Sequence, residues 1–196
     1  LNLSLLLFNA LPVGITDGAK IWELLQHPEN TKYAYLMLRH SAQTLLAPQE
    51  YDLKDFIMSV DEDVRGSFAE SVQNLQGLVF ILDDNIELAK QQFQSVLEKT
   101  DNPMSKTISQ LYLLQIALIE GDNKKAEEYA SIRGVKSFLS IKTADMQVIQ
   151  AWYQFKVKKD VVQTHKAMKI ARHKMNSSRM LRDEKSYYQN LSLIHI

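Results

Sequence analysis

Apolar residues return every three or four positions through most of this chain, and that spacing predicts helices. It runs through SFAESVQNLQGLVFIL (67–82), IELAKQQFQSVLEK (86–99), MSKTISQLYLLQIALIE (104–120), KKAEEYASIRG (124–134), TADMQVIQAWYQFKV (143–157) and VVQTHKAMKIARHKM (161–175). Upstream, residues 29–46 form an amphipathic helix with Tyr33, Leu36, Met37, Leu45 and Leu46 among its apolar members. A helix starting near Asp17 carries Ile21, Leu24 and Leu25 on one face until His27-Pro28 interrupts it. Residues 1–12 read as an apolar helix ended by Pro12, which cannot continue the hydrogen-bond ladder. Between these parts lies a polar connection, residues 47–66, with Pro48, the acidic cluster Asp61, Glu62 and Asp63, and Gly66. A domain boundary is expected there.

The helices after residue 66 come in pairs. Asp84, Asp122 and Asp160 stand at the corners of successive pairs, each 38 positions from the last, and Asn85 and Asn123 share that register. Asp and Asn suit such corners because their side chains accept backbone N–H groups at a helix start. Periods of this size indicate stacked helix pairs, each unable to bury its apolar face alone. Around Glu120 to Ala126, the pattern of an apolar residue followed by Gly-Asp-x-x-x-Ala resembles the tetratricopeptide class. The period is longer than the usual one of that class, and most of its aromatic and Gly positions are missing. The expected architecture is all-α, an apolar membrane helix segment followed by a tetratricopeptide-like helical-hairpin solenoid over 67–190.

Composition narrows the class. Hydrophobic residues make up 45% of the 196 and charged residues 23%, the balance of a globular chain and not a disordered one. Net charge is zero, so the chain as a whole does not point to nucleic acid. No cysteine is present, which excludes a disulfide framework and cysteine zinc sites.

Both ends carry a signal. The opening run LNLSLLLFNALPVGI holds 15 residues without a charge, short of the roughly 20 that a membrane-spanning helix needs. It lacks the basic n-region and the small-residue cleavage site of a signal peptide. A truncated membrane segment accounts for both shortfalls. At the other end, LSLIHI (191–196) resembles the translation of a transposon-end adapter used in sequencing libraries. These six residues are therefore expected to carry no function, and His195 is not counted as a ligand.

Inside the uncharged opening lies Asn9-x-x-Pro12-x-x-x-x-Asp17-Gly18. A carboxylate placed in lipid is expensive and usually marks a site. The pattern resembles the third-ligand motif of the site-2 protease family of intramembrane zinc metalloproteases. That resemblance covers residues 1–27 and implies a Zn2+ cofactor, with Asp17 as the metal ligand. Asn9 would position the substrate or the active-site loop, and Pro12 and Gly18 would shape the broken backbone. One departure is Thr16, where the family commonly has an apolar residue. The family's two His ligands and general base come from H-E-x-x-H, and no such motif occurs in these 196 residues. His27, His40, His165, His173 and His195 are scattered. The catalytic helix is expected upstream, so this chain alone would be inactive.

The remaining candidates read more plainly. Trp22, Trp152, Tyr153 and Phe155 fall at helical spacing and are expected in the core. His40 is expected at the surface or in packing. Residues 156–182 are basic, with Lys156, Lys158, Lys159, Lys166, Lys169, Arg172, Lys174, Arg179 and Arg182 against Asp160. Such a stretch suits anionic lipid, RNA or DNA, or a solvated face balanced by acids on neighbouring helices.

The expectation is a C-terminal fragment of a membrane-embedded zinc metallopeptidase. Its partners would be a membrane protein or peptide substrate, the lipid bilayer, and a protein bound by cytosolic repeats, with no nucleic acid. The alternative is a non-enzymatic scaffold or adaptor of helical repeats, membrane-anchored or soluble.

Overall fold

The computed structural model describes residues 17–46, 53, 66–177 and 182–194. Every element among them is helical. Helix α1 spans Asp17–Gln26, and a 3-10 turn, Pro28–Asn30, leads into α2, Thr31–Leu46. Then follow α3 (Ser67–Leu82), α4 (Ile86–Lys99), α5 (Pro103–Glu120), α6 (Asn123–Ser131), α7 (Arg133–Leu139) and α8 (Ala144–Tyr153). A π-helical turn, Gln154–Lys158, extends α8, and α9 (Val161–Ser177) and α10 (Arg182–Ile194) complete the set. No helix among the described residues is long and apolar enough to cross a membrane. The expected apolar helix over 1–12 and most of the connection at 47–66 lie outside the described residues.

Burial sorts the helices into two kinds. The second helix of a pair buries one stripe: Ala89, Phe93 and Val96 on α4, and Thr164, Ala167, Met168, Ala171 and Met175 on α9. Those spacings are those of a helix with one face on a core. The first helix of each pair is buried nearly all round, because it has neighbours on several sides. Helix α5 packs on α4, α6, α3 and α8, and buries Leu111, Leu113, Leu114, Ile116, Ala117 and Leu118. The three hairpins α3–α4, α5–α6 and α8–α9 thus pack in sequence order.

The corners repeat in backbone conformation, with one shift from the expected register. Asp84, Gly121 and Lys159 adopt left-handed φ values of 57°, 76° and 56°, and the next helix begins two residues after each. At the second and third corners the expected acids are the caps: Asp122 accepts Lys125 N–H at 3.0 Å and Asp160 accepts Gln163 N–H at 2.9 Å. At the first corner Asn85 holds the cap position, and Asp84 takes the left-handed turn. Two bonds close that turn, Asn85 N–H to Phe80 C=O at 2.8 Å and Asp84 N–H to Ile81 C=O at 3.1 Å, the Schellman pattern. Gly121 meets the same demand without a Cβ penalty.

Helix α7 is the element that apolar spacing does not announce. The predicted helix over 124–134 breaks at Ile132, whose ψ of 129° is extended. The break turns Val135 and Leu139 into the cluster formed by Leu111, Leu114, Ile149 and Trp152. Gly134 makes the approach possible, since a Cβ there would lie 2.5 Å from the Thr107 hydroxyl on α5.

Two expected core aromatics are exposed. Trp152 is buried, but Trp22 and Phe155 face outward on α1 and on the π-helical turn. Trp22 shares its face with Ile21 and Leu25, both exposed, while Gly18 and the half-buried Glu23 make the inward contacts of α1.

Candidate functional site

Asp17 is the first residue of α1 and is exposed, where a carboxylate is favoured by the helix dipole. Gly18 beside it is buried. Asn9 and Pro12 lie outside the described residues. Among the described residues no three His, Cys, Asp or Glu side chains stand close enough to hold a metal ion. Asp17 therefore offers one oxygen ligand where a catalytic zinc takes three protein ligands. His27 pairs with its neighbour Glu29 at 3.2 Å on the surface. His165 and His173 are exposed on α9.

What ties α1 to the hairpins is a polar junction that residue spacing does not reveal. Ser67 Oγ, at the start of α3, donates to Glu23 Oε2 at 2.6 Å. Gly66 comes so close that a Cβ would lie 2.4 Å from Glu23 Oε1 and 2.6 Å from the Asn30 side-chain nitrogen. Asn30 is fully buried there. The residue types at the expected boundary thus serve a close contact between α1, the 3-10 turn and α3.

His40 belongs to packing. It lines a gap of about 10 Å³ with Leu36, Met37, Leu53, Val72 and Val79, room for a single water at most. Burial lowers its pKa and favours the neutral ring. A larger cleft of about 200 Å³ opens where the end of α7 and α8 meet α9. Its polar lining is Ser140, Lys142, Gln147, Gln150, Gln163 and Lys166, with no carboxylate and no imidazole for acid–base work.

The basic segment is partly spoken for. Lys156 Nζ donates to Leu118 C=O at 2.8 Å and sits 4.7 Å from the Trp152 ring centre. Burial lowers the Lys156 pKa, with Lys159 adding to the effect. Lys158 bonds Glu127 on α6 and lies over the Tyr153 ring. Lys158 thus meets an acid on a neighbouring helix, whereas Lys156 meets a backbone carbonyl and an aromatic ring.

Helix α10 packs on α3, α8 and α9. The contact is aromatic and polar. Tyr188 is buried, and the half-buried Tyr187 hydroxyl lies 3.1 Å from Gln115 Nε2, which donates to it. The Gln115 carbonyl oxygen is buried without a partner. Tyr112 on α5 is stacked on Phe93 at 4.9 Å. Burial raises the phenol pKa of Tyr112 and Tyr188, and that of Tyr187 to about 12.

Comparison with protein-family models, with curated proteins and with solved structures finds no match to this chain.

Proposed function

We propose that this chain is the C-terminal part of a membrane-embedded zinc metallopeptidase resembling site-2 proteases, carrying a cytosolic array of stacked helical hairpins. The observation that carries the reading is Asn9-x-x-Pro12-x-x-x-x-Asp17-Gly18 at the end of an uncharged run. The exposure of Asp17 at the first position of α1 supports it, because the carboxylate stands clear of the hairpins where a ligand must meet residues from elsewhere. In this proposal Asp17 joins two His of an upstream H-E-x-x-H, and the bound zinc supplies a water whose pKa is lowered to about 7. Asn9, Pro12 and Gly18 hold the backbone beside Asp17, and the Ser67–Glu23 bond anchors α1 to the hairpins. The substrate is a peptide bond in or near a membrane helix, and the hairpins bind a partner or regulate access.

Asp17→Ala in the intact parent protein should abolish cleavage of a membrane peptide while leaving the helical circular dichroism of the array unchanged. Zinc-dependent cleavage by that variant refutes the assignment. A second reading, a non-enzymatic repeat scaffold or adaptor, membrane-anchored or soluble, is favoured by the cleft between α7, α8 and α9, whose polar lining suits binding more than acid–base work. An upstream H-E-x-x-H separates the two.

A further inference from the structure

The cleft of about 200 Å³ between the end of α7, α8 and α9 carries charge of one sign. Lys142, in the link from α7 to α8, and Lys166, on α9, both line it and are exposed. Among the described residues neither ammonium has an ion pair or a hydrogen bond. Asp145 and Asp160 are the only acids in the sequence from 133 to 177, against ten Lys and Arg, of which Lys158 answers Glu127. Both acids are turned elsewhere. Asp160 accepts Gln163 N–H as the cap of α9. Asp145 lies roughly half a turn round α8 from the cleft residues Gln147 and Gln150, at about 100° per residue. Burial raises the pKa of Tyr112 and Tyr188, and Asp145 with Glu184 of α10 adds to it, which sets both carboxylates toward those phenols.

Gln147 sets what else an occupant must offer. It is 6% exposed, and its Nε2 donates to Ile141 C=O at 2.9 Å and lies 3.5 Å from Leu139 C=O. These contacts pin the link that carries Lys142 and fix the amide, which leaves Oε1 as an acceptor with no bonded partner. Gln150 and Gln163 add two more side-chain amides, and Leu139, Ala167 and Ile170 add an apolar wall. We infer that the cleft binds an extended acidic peptide segment of a partner protein, with an aliphatic side chain against Leu139 and Ile170. Acidic side chains answer Lys142 and Lys166, a main-chain N–H answers Gln147 Oε1, and the aliphatic group covers the wall. A bare anion would satisfy the lysines but leave the Gln147 oxygen and the wall unanswered. A single nucleic-acid strand seeks aromatic platforms for its bases, and no aromatic residue lines the cleft. Gln163 to Ile170 spans about 10 Å of α9, the length of about three residues of extended chain. The inference rests on the hairpins as the part that binds a partner and does not depend on zinc.

The 196-residue chain is the bait for a phage-displayed library of random seven-residue peptides, and the enriched peptides are labelled with fluorescein and titrated by anisotropy. The expected sequences carry two or more acids beside an aliphatic residue and bind less tightly as salt rises. Lys142→Gln with Lys166→Gln should weaken them about tenfold. Lys99→Gln with Lys124→Gln, the same charge change on α4 and α6, should leave them within about twofold. Gln163→Trp places an indole in the cleft without altering charge and should weaken the same peptides, with circular dichroism checking that each variant keeps its helices. Neutral or basic peptides that are lost in Gln163→Trp overturn the acidic occupant and spare partner binding by the hairpins. Peptides indifferent to Gln163→Trp or to loss of the two lysines overturn the inference and leave the hairpins a binding site elsewhere. A single-stranded oligonucleotide or inorganic phosphate that displaces the acidic peptides at lower concentration than unlabelled peptide assigns the cleft to nucleic acid or to a bare anion, and this also overturns it. No enrichment of any peptide overturns both the inference and the binding role of the hairpins.

Discussion

Gly77→Ala tests whether the first two paired helices meet as described. A Cβ at Gly77 would stand 2.4, 2.6 and 2.9 Å from three carbons of the Phe93 ring. Carbon atoms in contact prefer about 3.5–4.0 Å, so something must move by about 1 Å. Phe93 has little freedom to do so: it is fully buried and stacked on Tyr112 with the rings 17° from parallel. Overpacking of this kind costs about 1–3 kcal/mol. Replacing a mid-helix glycine by alanine returns about 1 kcal/mol of helix propensity. The net loss is about 0–2 kcal/mol, equivalent to a fall in Tm of up to about 8 °C for a chain of this size. Thermal melts by circular dichroism would read it. The partner variant Phe93→Leu vacates the space, and Gly77→Ala on that background should become neutral or stabilising. The two changes then couple by about 1–3 kcal/mol. If Gly77→Ala raises Tm in the native background, as an ordinary exposed glycine would, then α3 and α4 do not pack in this way.

Asn102 caps α5 by accepting Met104 N–H at 2.9 Å, so Asn102→Ala should cost about 1 kcal/mol in a urea titration, and Asn102→Asp far less. The buried phenols of α10 and α5 make stability depend on alkaline pH. The folded-state pKa of Tyr187 is raised from 10.0 to about 12 by burial, so its contribution is intact below pH 10 and is lost as pH rises toward 12. Tyr112 and Tyr188 act in the same direction. Unfolding followed at alkaline pH should show stability falling from pH 10, and Tyr188→Phe should flatten the slope. The Asp122 cap acts at the opposite end: the backbone N–H of Lys125 holds its carboxylate pKa down. That contribution is present above the ordinary value of 3.8 and is lost as pH falls through the folded-state value, and Asp122→Asn should remove the dependence.

Much of the helical order was legible in residue spacing. The runs 67–82 and 86–99 match α3 and α4 because apolar periodicity stops at Asp-Asp-Asn and before Asp-Asn-Pro, residues that end or start helices by their own backbone bonding. Spacing did not reveal which corner residue turns left-handed. Asp84 and Asn85 are chemically similar, and the choice follows from where α3 runs out of carbonyl partners. It did not reveal α7, whose start rests on the contact between Gly134 and Thr107, 27 positions apart. Nor could spacing decide which side of α2 is buried, since Leu36 and Leu38 both fit a helix and only α3 distinguishes them. For the candidate site, the position of Asp17 at a helix start was readable from one acid after a loop. The companions that the proposed metal site needs were not, because no H-E-x-x-H is encoded in these residues.

The most direct measurement is the sequence of the intact gene upstream of Leu1. The account predicts H-E-x-x-H on an apolar helix there, giving Asp17 two imidazole companions. An upstream region that is apolar but lacks this motif contradicts the metallopeptidase reading and leaves the hairpins as a scaffold on a membrane anchor.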